Sequence, residues 1–430
     1  MLINFSVQNF GSIKDKQTLS FEADKSEHLE DYYVIHTNGL RLLKLGLIYG
    51  ANASGKTTIL KALDFVRTLV LNPKSQKTET FDFTAFLFDK TTPKENTIFE
   101  TDFLQNDVRY CYEVEMNRKA IVREELYAYS PKKSNVFKRT TDLENQITNI
   151  EFGSKIKIKE SAKNNLEQLT LWNNTVLSGF LKINLEQKEL KDTTDWFHDF
   201  MLRVVYPWMK FHKFVTDVIN RDESYKNIVL GILQKADFNI SNIVVKNGGE
   251  NISNVFMDIQ SKQESILKDK KISSDVNLEF EHVVNDKFYS LPFKQESLGT
   301  QRYYELAGLL PMLIAGQIIL PIDELESSLH PDLFQHFLLS FLVNSKKSQL
   351  IATTHNREIL CDRDIFRPDA LWITDKDNEN LATELYSFAD FGSSVVRKDT
   401  SSYYNAYKMG KLGGTPNLGS YYINIDDENE

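Results

Sequence analysis

The sequence predicts an α/β fold, with a mixed central sheet flanked by helices, an antiparallel β subdomain and a mainly helical insertion. Three observations carry this prediction. Leu45, Leu47, Ile48 and Tyr49 form a short apolar strand; a glycine-bounded loop follows over residues 50–57, and then Ile59, Leu63, Val66 and Val70 recur at helical spacing. Residues 317–322 form a second apolar strand that ends in two carboxylates, Asp323 and Glu324. Residues 350–354 form a third, joined to the second by an apolar helix that opens at Pro331, which makes one β-α-β step.

The totals set the bounds. A chain of 430 residues with 41% hydrophobic and 26% charged residues can bury a large core in one or two domains. A net charge of −9 argues against a surface coated for nucleic acid. Cys111 and Cys361 are the only cysteines, which excludes a disulfide framework and suits a reducing cytoplasm. The first ten residues lack the basic and long apolar regions of a signal peptide. The longest apolar stretch, 309–322, is interrupted by Pro311, Gly316, Gln317 and Pro321 and is too short to span a bilayer. It reads as the buried centre of the fold, and no membrane partner is expected.

Taken in order, residues 2–10 alternate in part and predict a strand, a turn at 9–12 and a second strand around 17–22. The polar stretch 22–41 reads as a loop. After the glycine loop and its helix, Asn72-Pro73 stops the helix. Residues 81–129 are rich in aromatic and β-branched residues between polar turns at 105–107 and 116–118, and predict an antiparallel meander. The most basic stretch follows, with Lys132, Lys133, Lys138, Arg139, Lys155, Lys157 and Lys159. It reads as solvated hairpins and loops or as a nucleic-acid contact surface. Residues 161–236 turn helical. Trp196, Phe197, Phe200, Met201, Val204 and Val205 share one side of a helix expected to end before Pro207, and another helix is expected over 222–235. Strands return at 240–245 and 276–284, with a turn at 247–249 and a polar loop at 258–274. The expected division is 1–130, the first half of the α/β head; 131–290, an insertion, helical with flanking strands; and 291–430, the second half of the head.

Residues 50–57 match G-x-x-x-x-G-K-T, the phosphate-cradling P-loop. Glycines let backbone N–H groups turn inward, and the helix N-terminus adds positive potential. Asn52, Ala53, Ser54, Gly55, Lys56, Thr57 and Thr58 are therefore the expected nucleotide contacts. Lys56 reaches the β- and γ-phosphates of ATP, and Thr57 puts its hydroxyl on Mg²⁺. Asp323 and Glu324 leave their strand at its C-terminal edge, where ligands of open α/β sheets bind. Asp323 is expected to hold Mg²⁺, and Glu324 to orient or deprotonate the attacking water. His355 ends the neighbouring strand at the same edge and is placed at the γ-phosphate. Ser297 and Gly299 open an apolar helix in a Ser-x-Gly-Thr turn, an anion site or a plain helix cap.

The P-loop, Ser-x-Gly-Thr turn, Asp323-Glu324, Ser328-Leu329-His330-Pro331 and Thr353-Thr354-His355 follow in this order. In that order they resemble the ABC-type ATPase heads of the RecF/SMC/OLD group. Asn9-Phe10-Gly11-Ser12, Ala236-Asp237-Phe238-Asn239 and Gly410-Lys411-Leu412-Gly413 add a similarity to the RloA-like branch of AAA-family ATPases of restriction-linked and phage-defence loci. The resemblance implies a head-to-tail homodimer that sandwiches two ATP molecules. One subunit supplies Lys56, Thr57, Asp323, Glu324 and His355; the other supplies Ser297 and Gly299. It also implies a separately encoded effector such as a Toprim nuclease. No glutamine matches the Q-loop of such heads.

Three functions remain open at this point. They are an ATP-driven switch that gates a defence effector, a RecF-like DNA-binding repair ATPase, and a self-contained OLD-type nuclease. For the last, Asp375-Lys376-Asp377 mimics a metal-binding D-x-D, but a turn between strands explains it better.

Overall fold

The computed structural model describes residues 1–246, 277–391, 403–416 and 419. The alternating start of the chain becomes β1 (Leu2–Gln8) and β2 (Gln17–Ser20), an antiparallel pair. Asn9 at φ 53° and Gly11 at φ 58° make the turn after β1. The stretch read as a loop over 22–41 contains structure instead: a short helix, Glu30–Tyr33, then a hairpin of β3 (Val34–Thr37) and β4 (Leu40–Leu43). Asn38-Gly39, both at positive φ, is the tight-turn pair that such a hairpin requires, and Ile35 and Leu42 give it buried side chains. Next comes β5 (Leu45–Gly50), buried at all six positions, and the helix Lys56–Leu71. Ile59, Leu63, Val66 and Val70 on that helix are at most 1% exposed. Each stabilises the helix by roughly 1.5–3 kcal/mol relative to an exposed position.

The aromatic stretch gives β6 (Thr97–Gln105), β7 (Val108–Met116) and β8 (Ile121–Tyr129). The meander does not stop at the boundary expected near 130. It continues into β9 (Lys133–Asp142) and β10 (Ile147–Phe152), which complete a seven-stranded sheet in the order β10-β9-β8-β7-β6-β1-β2. The basic stretch is thus partly strand, with Phe137 and Ile150 turned into the core and Lys138 outward. Residues 81–88 lie outside the strands, although Phe81, Phe83 and Phe86 are buried.

Helices follow at Glu160–Leu169, Val176–Phe180, Lys188–Asp195, His212–Arg221 and Glu223–Lys235. The helix expected through Val205 is shorter. A single π-turn, Trp196–Phe200, closes it, with Trp196 stacked on Phe103 of the large sheet at 4.2 Å. Residues 201–205 then run extended. Leu202 N–H donates to the Ile319 carbonyl at 3.0 Å and Val205 N–H to that of Pro321 at 2.9 Å. Those backbone bonds outweigh a helical pattern that Met201, Val204 and Val205 satisfy equally well as a strand. A small sheet of β11 (Asn242–Lys246), β12 (Asn277–Val284) and β13 (Lys287–Pro292) comes next. The expected turn at 247–249 and loop at 258–274 lie outside the described residues.

The helix Leu298–Ala315 leads into β14 (Ile319–Ile322). The helix Pro331–Asn344, β15 (Gln349–Thr353), β16 (Leu371–Lys376) and β17 (Thr383–Ser387) complete a five-stranded sheet in the order β14-β15-β5-β16-β17. The first four strands are parallel and β17 is an antiparallel edge. Buried Gln349 ties this sheet to the other: its side chain accepts from Leu2 N–H at 2.7 Å and donates to the Leu2 and Leu43 carbonyls. The order sets the site. β14, β15 and β5 are adjacent and parallel, so Asp323, His355 and the P-loop leave the sheet at one edge. Among the described residues no helix is long and apolar enough to cross a membrane.

Candidate active site

The loop after β5 is held open by backbone that other residues resist. Gly50 has φ 153°, Ala53 φ 63° and Gly55 φ 111°. A Cβ on Gly55 would lie 2.2 Å from Thr383 Oγ1. Gly55 is therefore required both for its conformation and for the close approach of β17. Hydroxyls brace the loop from outside. Ser54 Oγ lies 2.6 Å from Thr374 Oγ1, and Thr383 Oγ1 donates to the Ser54 carbonyl at 2.9 Å. Thr58 Oγ1 lies 3.1 Å from Ser12 Oγ, which places the Asn9–Ser12 turn against the loop. Asn52 and Ala53 are exposed at its tip.

Lys56, the first residue of the helix, is 6% exposed and folds back over the loop. Its ammonium donates to the Gly50 and Ala51 carbonyls at 2.9 and 3.0 Å. Burial lowers its pKa, against the charges of Asp323, Glu326 and Glu324. Thr57 directs its hydroxyl at Asp323, 3.1 and 3.0 Å from the two carboxylate oxygens.

Asp323 is buried immediately after β14. Thr353 Oγ1 donates to it at 2.6 Å and accepts from Glu324 N–H at 2.8 Å, so one hydroxyl fixes both acidic positions. Glu324 itself has φ 46° and an exposed side chain. Pro321 is tolerated because its carbonyl faces residues 201–205, where Val205 N–H bonds it. Its missing N–H faces the same irregular edge, and pairing with β15 runs unbroken from Ile319 to Ile322.

His355 lies two residues beyond β15 with an exposed side chain. Partial burial and the Lys56 ammonium lower its pKa, which favours the neutral imidazole at pH 7. The His355 N–H donates to Glu326 Oε1. Beside the loop lies a cavity of about 400 Å³ lined by Asn52, His355, Arg357, Asp375, Tyr407 and Thr415. Asp375 is in β16, and Asp377 caps the following turn by accepting from Glu379 and Asn380 N–H. The D-x-D stretch is thus strand and turn.

Ser297 and Gly299 stand apart from this group. Ser297 caps the helix Leu298–Ala315 by accepting from Thr300 N–H at 3.0 Å, and Gly299 lies beside the Ser328 carbonyl. Among the described residues no hydrogen bond joins either one to the P-loop.

The sequence assigned no role to four contributors. Thr353 orients Asp323. Glu326 holds the His355 main chain. Tyr206 follows the segment paired with β14, and the Asp323 charge helps raise its pKa, after burial and Asp64. Tyr407 donates to the Gly414 carbonyl at 2.9 Å and accepts the Gly50 N–H, so a C-terminal segment rests on the start of the P-loop. Only Thr353 had a visible signal, as a hydroxyl residue ending an apolar strand.

The residues fit a magnesium ion. A hydroxyl and a carboxylate converge beside a helix N-terminus, and Mg²⁺ binds through one or two carboxylates plus phosphate oxygens rather than an all-protein cage. Among the described residues no group of three or more His, Cys, Asp or Glu could hold a metal alone. When bound, the ion would supply neutralisation of phosphate charge.

The family model described as "AAA domain, putative AbiEii toxin, Type IV TA system" matches residues 47–362, from β5 past His355. No curated protein matches the chain. Among solved structures, the chain is similar to the SMC head domain from Thermotoga maritima at 11% identity and a TM-score of 0.40, over 90% of this chain and 98% of that one. An Smc head bound to the C-winged helix domain of ScpA gives 14% and 0.43, over 95% and 99%. An Smc head with an extended coiled coil, bound to the C-terminal domain of ScpA derived from Pyrococcus furiosus, gives 12% and 0.42, over 96% and 98%.

Proposed function

The chain belongs to this AAA-domain family, and from that membership and the geometry of the site we propose that it binds ATP with Mg²⁺ and hydrolyses it. The five-stranded sheet that carries the P-loop, tied through Gln349 to the seven-stranded antiparallel sheet, fits an ABC-type P-loop ATPase head. One observation carries the reading: Lys56, Thr57, Asp323 and His355 meet at one edge of three adjacent parallel strands, with Thr57 and Asp323 in contact. Lys56 leaves the Gly50 and Ala51 carbonyls for the β- and γ-phosphates, helped by the helix N-terminus. Thr57 and Asp323 would hold the metal. Glu324 orients the attacking water, and neutral His355 donates to the γ-phosphate. Asn52, Ala53, Ser54, Gly55 and Thr58 shape the cradle.

The site is built from one side, and this supports a shared site. Ser297 and Gly299 are surface residues at a helix N-terminus, available to a second copy. A head-to-tail dimer closed by two ATP molecules would place them over the γ-phosphates. Turnover would then open and close the dimer and gate a separately encoded effector, such as a Toprim nuclease, in phage defence.

Phosphate release by purified protein with ATP and Mg²⁺ tests the core of this reading. The wild type should turn over, and Glu324→Gln should slow it at least about tenfold while still binding ATP. Turnover unchanged in Glu324→Gln removes the role given to that residue. Strong, salt-dependent duplex binding by the free protein would favour the DNA-repair reading instead.

A further inference from the structure

Asp323-Glu324-Leu325-Glu326 offers three carboxylates, and the motif points to the first two. The structure separates them by burial. Glu324 is exposed, whereas Glu326 is partly buried and turned inward. One oxygen of Glu326 accepts the His355 N–H. The other, Oε2, is buried with no hydrogen-bond partner among the described residues. A buried acceptor left unsatisfied is destabilising, and such groups persist where function holds them. The Tyr49 hydroxyl, on the residue just before the P-loop, is a second buried group without a partner, and Glu326 is the strongest charge acting on it. Glu326 also acts more strongly than Glu324 on both Lys56 and His355. Its main chain accepts from Leu329 N–H at 2.8 Å, within the loop that runs on to the helix Pro331–Asn344.

We propose that Glu326 is a positioning residue of this site, whose carboxylate fixes the main chain at His355 and so sets where the imidazole meets the γ-phosphate. It acts through His355 and does not itself touch the nucleotide. The same loop carries Asp323 and ends at His330. A displacement of that loop by a neighbouring subunit would reach His355 through Glu326. The proposal rests on the ATPase reading above, and two measurements keep the two separable.

The first is amide hydrogen exchange of residues 353–357 in the nucleotide-free protein. It needs no turnover. Glu326→Ala should speed exchange there about tenfold or more, and Glu326→Gln, which keeps an acceptor oxygen, should restore most of the protection. The second is steady-state ATPase. Glu326→Ala should lower kcat about tenfold or more with KM within about threefold, and Glu326→Gln should recover most of kcat. Unchanged exchange in Glu326→Ala overturns the proposal. So does a Glu326→Gln protein as impaired as Glu326→Ala. If Glu326→Ala does not fold, Glu326→Gln decides: wild-type protection and kcat support the proposal, and loss of both sinks it. A wild type without turnover would defeat the ATPase reading alone, leaving the exchange result to decide the placement of Glu326.

Discussion

The Thr57 hydroxyl stands 3.1 and 3.0 Å from the two oxygens of Asp323, across 266 residues of sequence. The P-loop helix and β14 thus meet at one hydroxyl–carboxylate contact, with the Thr353 hydroxyl on the far side at 2.6 Å. Asp323→Asn keeps the size and one acceptor but loses the charge. Mg²⁺-dependent phosphate release should fall about a hundredfold, while binding of a fluorescent ATP analogue in EDTA should stay within about threefold of wild type. An Asp323→Asn protein that retains most of its turnover would remove Asp323 from the metal.

Gly55→Ala tests the cradle. The added methyl meets Thr383 Oγ1 at 2.2 Å and Cγ2 at 2.5 Å, at a φ of 111° that side chains avoid. Strain and overpacking together should cost roughly 2–5 kcal/mol. A lower Tm and loss of ATP binding are expected, and a variant with wild-type affinity would show that the loop is held less rigidly.

Much of this site could be read from the chain because its signals are local. Glycines beside a lysine, an apolar run ending in Asp323-Glu324 and a proline-opened helix each fit within about ten residues. What failed depended on distant partners. Met201, Val204 and Val205 satisfy a helical stripe and an edge strand alike, and only β14, over a hundred residues later, selects the strand. The solvated hairpin read in the basic stretch is present as β9 and β10, but its charges masked that it continues the large sheet; Arg139 itself is buried, bonded to the Ile121 and Trp172 carbonyls. Glu326 was hidden because no pattern tells which carboxylate of a turn faces inward.

Mixing two inactive proteins tests whether sites are shared. Ser297→Arg should block the helix cap opposite the γ-phosphate, and Lys56→Ala should empty its own P-loop. In a head-to-tail dimer, a mixed pair contains one site with both residues intact. Turnover should therefore recover to about a quarter of wild type in an equal mixture, from random pairing. A mixture no more active than either parent would argue against the shared site.

Glu124 sets a pH dependence of stability away from the site. It is 0% exposed on β8, accepting from the Tyr112 hydroxyl at 2.8 Å and Val176 N–H at 2.7 Å. Burial raises its pKa to about 7 despite the nearby Arg139 guanidinium. An unfolded glutamate titrates near about 4.3. Between these values the native protein holds a proton that the unfolded chain has lost, so stability falls as pH rises through this window. Below about 4.3 both states are protonated, and above about 7 neither is, so the contribution is flat outside it. The slope from this one group approaches 1.4 kcal/mol per pH unit. Glu124→Gln should remove that slope, so the Tm difference between pH 5 and pH 7 should shrink relative to wild type. Parallel pH profiles for the two proteins would mean that Glu124 is ionised in the folded state, held by Arg139.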